Sequence, residues 1–192
     1  DTTGVGTARQ WIGACDYGGD KGIFGFGTTG SNVSMTNLVS NSGVVASDVT
    51  GVGSARKGLA ACEYDKDKGI FGFGHDGSNN VGMTNLVSNV GVVASDVSAV
   101  GTVRRYVAAC EYGGDKGIFG YGTTGSVTAV TNLVSNAGVV ASDVTGVGTA
   151  RYGLAATQYG NDKGIFGYGQ NGVVSMTNLV SNAGVVATDT TG

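Results

Sequence analysis

The sequence has no proline, one histidine, one tryptophan and three cysteines in 192 residues. Charged residues are 13% of the chain, about half the usual quarter, and the net charge is only −3. Each scarcity excludes something. Without proline or a Gly-X-Y period the chain is not collagen-like. Without a basic stripe it has no electrostatic footprint for nucleic acid. No apolar run approaches the roughly 20 residues of a membrane-spanning helix, so no membrane insertion is expected. The first residues carry no charged-then-apolar leader pattern. The sole histidine, His75, cannot form an HExxH site, and no Gly-x-Ser-x-Gly elbow or P-loop string occurs. The Gly-Phe-Gly and Gly-Tyr-Gly strings are not dinucleotide fingerprints, because no helix pattern follows them. The expectation is therefore a protein that is not an enzyme and holds no cofactor.

What is abundant is glycine, 37 residues where about 13 would be usual at this length. With 41% hydrophobic residues and little net charge, this is not a charge-driven disordered chain. The glycine comes from repetition. TNLVSN recurs at 36–41, 84–89, 131–136 and 177–182, and KGIFG at 21–25, 68–72, 116–120 and 163–167. Cys15, Cys62 and Cys110 share one repeat phase, whose fourth place is Thr157. They read as small packing residues rather than a disulfide framework. Four units of about 47 residues fill the chain as a single repeat domain, at about 1–47, 48–95, 96–142 and 143–192. Such a period marks solenoids, propellers or arrays.

Each unit reads as four short antiparallel strands. In the first they are Arg9 to Tyr17, Gly22 to Gly27, Val33 to Ser40 and Val44 to Val49, with Gly/Asn/Asp turns between them. Four strands per 40–50 residues is the pattern of a propeller blade, so the predicted fold is all-β, a four-bladed β-propeller. The chain opens and closes on Asp-Thr-Thr-Gly, so each blade is expected to be continuous, with closure resting on blade four against blade one; a terminal strand crossing over is the alternative.

The pattern R-x-x-x-A-A-x-x-Y, a turn, then K-G-I-F-G-[FY]-G resembles the Kelch-type β-propeller repeat. Arg151, Ala155, Ala156, Tyr159, Ile165, Phe166, Gly167 and Gly169 take the matching places. The units are also similar to repeat runs in structural proteins of marine phages and environmental sequences. Either resemblance implies a binding or structural role.

Three polar positions recur in every unit. Arg9, Arg56, Arg104 and Arg151 could together face an opening and bind an anion, or pair with Asp48, Asp96, Asp143 and Asp189 to tie neighbouring blades. Asn37, Asn85, Asn132 and Asn178 could bond backbone, or with aromatic residues form one shallow sugar site per blade. These eight arginines and asparagines are the candidate ligand-binding residues. The turn Asp65-Lys66-Asp67-Lys68 has a faint likeness to a calcium loop, but two lysines lie inside it and a solvated turn is the plainer reading. No metal site is expected. The predicted function is a structural or binding scaffold for a protein or glycan ligand, extracellular or virion-associated, with a multivalent lectin as the alternative. A monomer is expected, or a dimer by blade exchange; an engineered consensus origin would leave the same pattern.

Overall fold

Residues 17–21, 64–68, 112–116 and 159–163 make the tightest turn of each unit. In the second unit Asp65 and Lys66 both take left-handed φ, 54° and 67°, the geometry that matches the twist of two paired strands. A computed structural model describes residues 4–191. It contains strands β1 (Gly13–Tyr17), β2 (Lys21–Gly25), β3 (Thr36–Val39), β4 (Ala60–Tyr64), β5 (Lys68–Gly72), β6 (Thr84–Val87), β7 (Ala108–Tyr112), β8 (Lys116–Gly120), β9 (Thr131–Val134), β10 (Ala155–Tyr159), β11 (Lys163–Gly167) and β12 (Thr177–Val180). The fold is all-β, without a helix among the described residues. Four antiparallel three-stranded sheets follow one another, each in sequence order. The register repeats: Cys15 faces Ile23, which faces Leu38, and Cys62, Ile70 and Leu86 do the same one unit on.

The predicted strands are shortened for identifiable reasons. The second strand stops at Gly25 rather than Gly27 because Phe26 turns left-handed at φ 62°. Phe73, Tyr121 and Tyr168 do likewise at 62–65°. For a bulky residue this costs about 1–2 kcal/mol. In return the turn sends the Phe26 ring into the core and leaves its carbonyl facing Arg9. The first strand starts at Gly13 rather than Arg9 because Trp11 is also left-handed, at 56°.

The predicted fourth strand is present only as two bridges. Val45 pairs with Val39 and Val49 with Thr36, so four steps on one side oppose three on the other. The extra residue makes a bulge. It turns the Ala46 carbonyl and the Asp48 carboxylate toward Asn37, whose amide donates to both at 3.0 and 2.9 Å. Every unit repeats the bulge. Because Val49 pairs with Thr36, Asp48 belongs to the first sheet.

The core lies between sheets. One face of unit one, with Tyr17, Ile23 and Phe26, packs on the opposite face of unit two, with Leu59, Phe71 and Val87. Units two and three, and three and four, repeat this. The ring of Phe71 needs the space over Gly25, where a methyl would lie 2.7 Å from its Cζ. Phe119 sits over Gly72 and Phe166 over Gly120 in the same way. The sheets do not close. β1 packs on β4, β4 on β7 and β7 on β10, with no comparable contact between β10 and β1 among the described residues. Residues 1–3 and 192, half of the two matching end tetrapeptides, lie outside the described residues.

Candidate functional site

The eight repeated arginines and asparagines are brought together pairwise, inside each unit. Arg56 donates from Nε to the Phe73 carbonyl at 2.9 Å, from one terminal nitrogen to the Ser54 carbonyl at 3.2 Å, and from the other to Asn85 Oδ1 at 2.7 Å. Asn85 passes its own amide hydrogens to the Ala94 carbonyl and to Asp96. Asp96 in turn accepts from the Ser54 backbone N–H and hydroxyl. Arg9 with Asn37, Arg104 with Asn132, and Arg151 with Asn178 repeat the arrangement. Arg56, Arg104 and Arg151 are fully buried.

Burial lowers the Arg56 and Arg104 guanidinium pKa values to about 10, opposed by Asp96 and Asp143, so both stay charged at neutral pH. For Asp96 burial acts upward, but the Ser54 hydroxyl, the Asn85 amide and Arg56 outweigh it and hold the carboxyl below its usual range. The nearest Arg56–Asp96 separation is 3.9 Å, so hydrogen bonds through Asn85 carry more of the link than direct pairing. The tie between units is different: the Arg56 guanidinium lies over the Phe26 ring of the preceding unit, 4.1 Å from its centroid. Arg104 stacks on Phe73, and Arg151 on Tyr121, in the same way. These donors are engaged by protein acceptors, and the arginines do not converge on an opening.

The other sequence candidates are also accounted for locally. The Lys68 ammonium reaches Asp65 at 2.5 Å and Asp67 at 3.8 Å, so a lysine already neutralises the acidic turn. The His75 ring nitrogen Nδ1 accepts from the Gly77 N–H at 3.0 Å; burial and Arg105 hold its pKa below the ordinary value. Cys15, Cys62 and Cys110 are free thiols, each packed over a glycine of the next unit. A methyl on Gly69 would fall 2.6 Å from Cys15 Sγ. Burial pushes all three thiols up, Cys110 to about 12, so they are poor thiolates at neutral pH.

What does converge is the set of first strands. β1, β4, β7 and β10 line one shared cavity of about 210 Å³, with Asp16, Glu63, Glu111 and Gln158 on its wall. Glu63 is pushed up to about 7, first by burial and then by the charges of Glu111, Asp16 and Asp67. Glu111 is raised as well, chiefly by burial. A raised carboxyl binds its proton more tightly in the folded chain. Its stabilisation is therefore full below about pH 4.5 and is lost as pH rises through about 7. The melting temperature should fall between pH 5 and pH 8, and Glu63→Gln should flatten that fall. After discounting for partial exposure the effect is on the order of 1 kcal/mol, or about 2–4 °C. Parallel melting curves for the two proteins across this range check it.

The opposite ends of the same strands carry a second cluster. Trp11 and Tyr106 stack edge to face at 6.1 Å, and Tyr106 and Tyr152 lie 5.9 Å apart. Lys57 Nζ sits 4.9 Å from the Trp11 ring centroid, and Arg105 flanks Tyr106. A backbone chain links the units here: Gly58 N–H donates to the Trp11 carbonyl, Tyr106 N–H to that of Gly58, and Gly153 N–H to that of Tyr106. In the sequence, Lys57, Arg105 and Tyr106 stand out as departures from the repeat, while nothing singles out the acidic end. The available signal was divergence, since positions 10, 57, 105 and 152 are Gln, Lys, Arg and Tyr in units otherwise nearly alike. Compared with known proteins, the chain matches no protein-family model and no curated sequence.

Proposed function

We propose that the protein is a non-enzymatic interaction scaffold of propeller type, its four sheets being blades set about one axis, within an extracellular or virion-associated assembly. The shared cavity of the four first strands supports the blade reading. The observation that carries the scaffold reading is a periodic apolar row. Val44, Val92, Val139 and Val185, one per unit after the third strand, are each 63–65% exposed. The repeated arginines and asparagines of the bracket are engaged inside the units, whereas these valines are large apolar side chains that every unit exposes alike. A partner spanning several of them gains avidity without any single strong contact. Replacing all four valines by serine should leave the melting temperature nearly unchanged, because exposed positions contribute little to stability. It should reduce partner capture from the native source at least about tenfold, with smaller losses for one or two replacements. Capture that ignores the valines would sink the reading.

A second reading, a carbohydrate-binding protein, draws on Trp11, which is 46% exposed beside Tyr106, Lys57 and Arg105. An exposed indole can cover the apolar face of a sugar ring. This moves the sugar site from one per unit to a single place. A glycan array with the native chain and Trp11→Ala separates the two readings: a signal lost in the variant favours the lectin.

A further inference from the structure

Three equivalent interfaces join the four units, and each has two complementary sides. The side offered to the following unit carries a glycine hole beside a left-handed aromatic ring; the side offered to the preceding unit carries a phenylalanine knob and an arginine. Phe71 fills the space over Gly25 and meets the Phe26 ring at 5.2 Å; Phe119 does the same with Gly72 and Phe73, and Phe166 with Gly120 and Tyr121. Backbone bonds accompany each contact: Gly27, Gly74 and Gly122 donate to the carbonyls of Arg56, Arg104 and Arg151 at 2.9–3.0 Å.

The outer faces of the first and last units are the two unused halves. Phe24 is the fourth knob, 37% exposed where its three counterparts are completely buried. The space above Gly167 is the fourth hole; a methyl there would meet only its own neighbour Thr177, at 3.4 Å. Tyr168, next to it, is 64% exposed. Among the described residues no ring lies under Arg9 as Phe26 lies under Arg56. Ile12, Tyr159 and Leu179 complete the two apolar faces, each at least a third exposed.

We propose that these faces bind each other between two copies of the chain, head to tail, with Phe24 of one copy over Gly167 and Tyr168 of the other. The occupant follows from continuity: the only surface shown to fit such a hole is the knob face of the same repeat, and it does so three times. A pair joined at both ends and a longer series both contain this contact.

The test uses two surface variants, Phe24→Asp, which spoils the knob face, and Gly167→Glu, which fills the hole. Neither position is covered by a neighbouring unit within one copy, so both variants should keep the native circular dichroism. Light scattering of the unmodified chain should give at least twice the 19.0 kDa of one copy at tens of micromolar. Each variant alone should give one copy. Mixed in equal amounts they should form a pair of about twice that mass, because each retains the face that the other lacks. One-copy mass for the unmodified chain at every concentration overturns the proposal. So does a single variant that still pairs with itself, which would mean like faces join.

Discussion

Phe119→Ala should lower the unfolding free energy by about 3–5 kcal/mol, while Phe24→Ala in dilute solution should cost less than about 1 kcal/mol. Both residues are the fourth letter of KGIFG and both lie on a second strand facing a first-strand alanine. Their difference comes only from what lies across the sheet face. Phe119 is completely buried over Gly72, edge to face with Phe73 at 5.2 Å. Removing its ring opens a cavity between units two and three that backbone on both sides prevents from collapsing. Phe24 has no unit in front of it within one copy. Urea denaturation of the two variants at low protein concentration measures the contrast. Equal costs would mean that the packing between sheets does not hold the array together.

Arg56→Met should cost about 3–5 kcal/mol, with Arg56→Lys recovering less than half of it. Methionine keeps most of the stem but leaves the Phe73 carbonyl, the Ser54 carbonyl and Asn85 Oδ1 without their donor. The bonds to the Phe73 carbonyl and Asn85 Oδ1 are buried, and an unmet buried acceptor costs about 1–3 kcal/mol. Lysine restores charge but not the planar fork that meets three acceptors in different directions and stacks on Phe26. Arg9→Met provides the comparison. Its bonds to Phe26 and Asn37 are the same in kind, but no aromatic ring among the described residues lies beneath it, so its loss should be smaller. Thermal melts of the three variants, with a double-mutant cycle to Asn85→Ala, check the coupling. An Arg56 variant no worse than the Arg9 variant would contradict a bracket reinforced by the preceding unit.

The recurring arginine shows where reading from sequence succeeds and where it stops. Its spacing marked a structural position in every unit, and a partnership with the recurring aspartate was among the readings. Which side chain lies between them was not legible. The asparagine enters only because the bulge between Val45 and Val49 brings Asp48 and the Ala46 carbonyl round to it. A bulge of one residue leaves no mark in a run that already reads as a strand, so the fourth segment looked continuous. Phe26 is similar: the string GIFGFG suits a strand at every letter, and only the packing of its ring on Phe71 offsets a left-handed aromatic.

The sequence by itself determined the unit, its copy number, the all-β class and the order of the first three strands. Those depend on turns a few residues long and on alternation within a strand, which local chemistry decides. Tertiary structure alone decided which faces meet, that the arginines are engaged inside the units, that the acids and aromatic residues gather at opposite ends of the first strands, and that two faces stay open. Burial belongs to a residue together with its neighbours across space. Four copies of one motif have nearly the same letters, but the first lacks a preceding neighbour and the last lacks a following one.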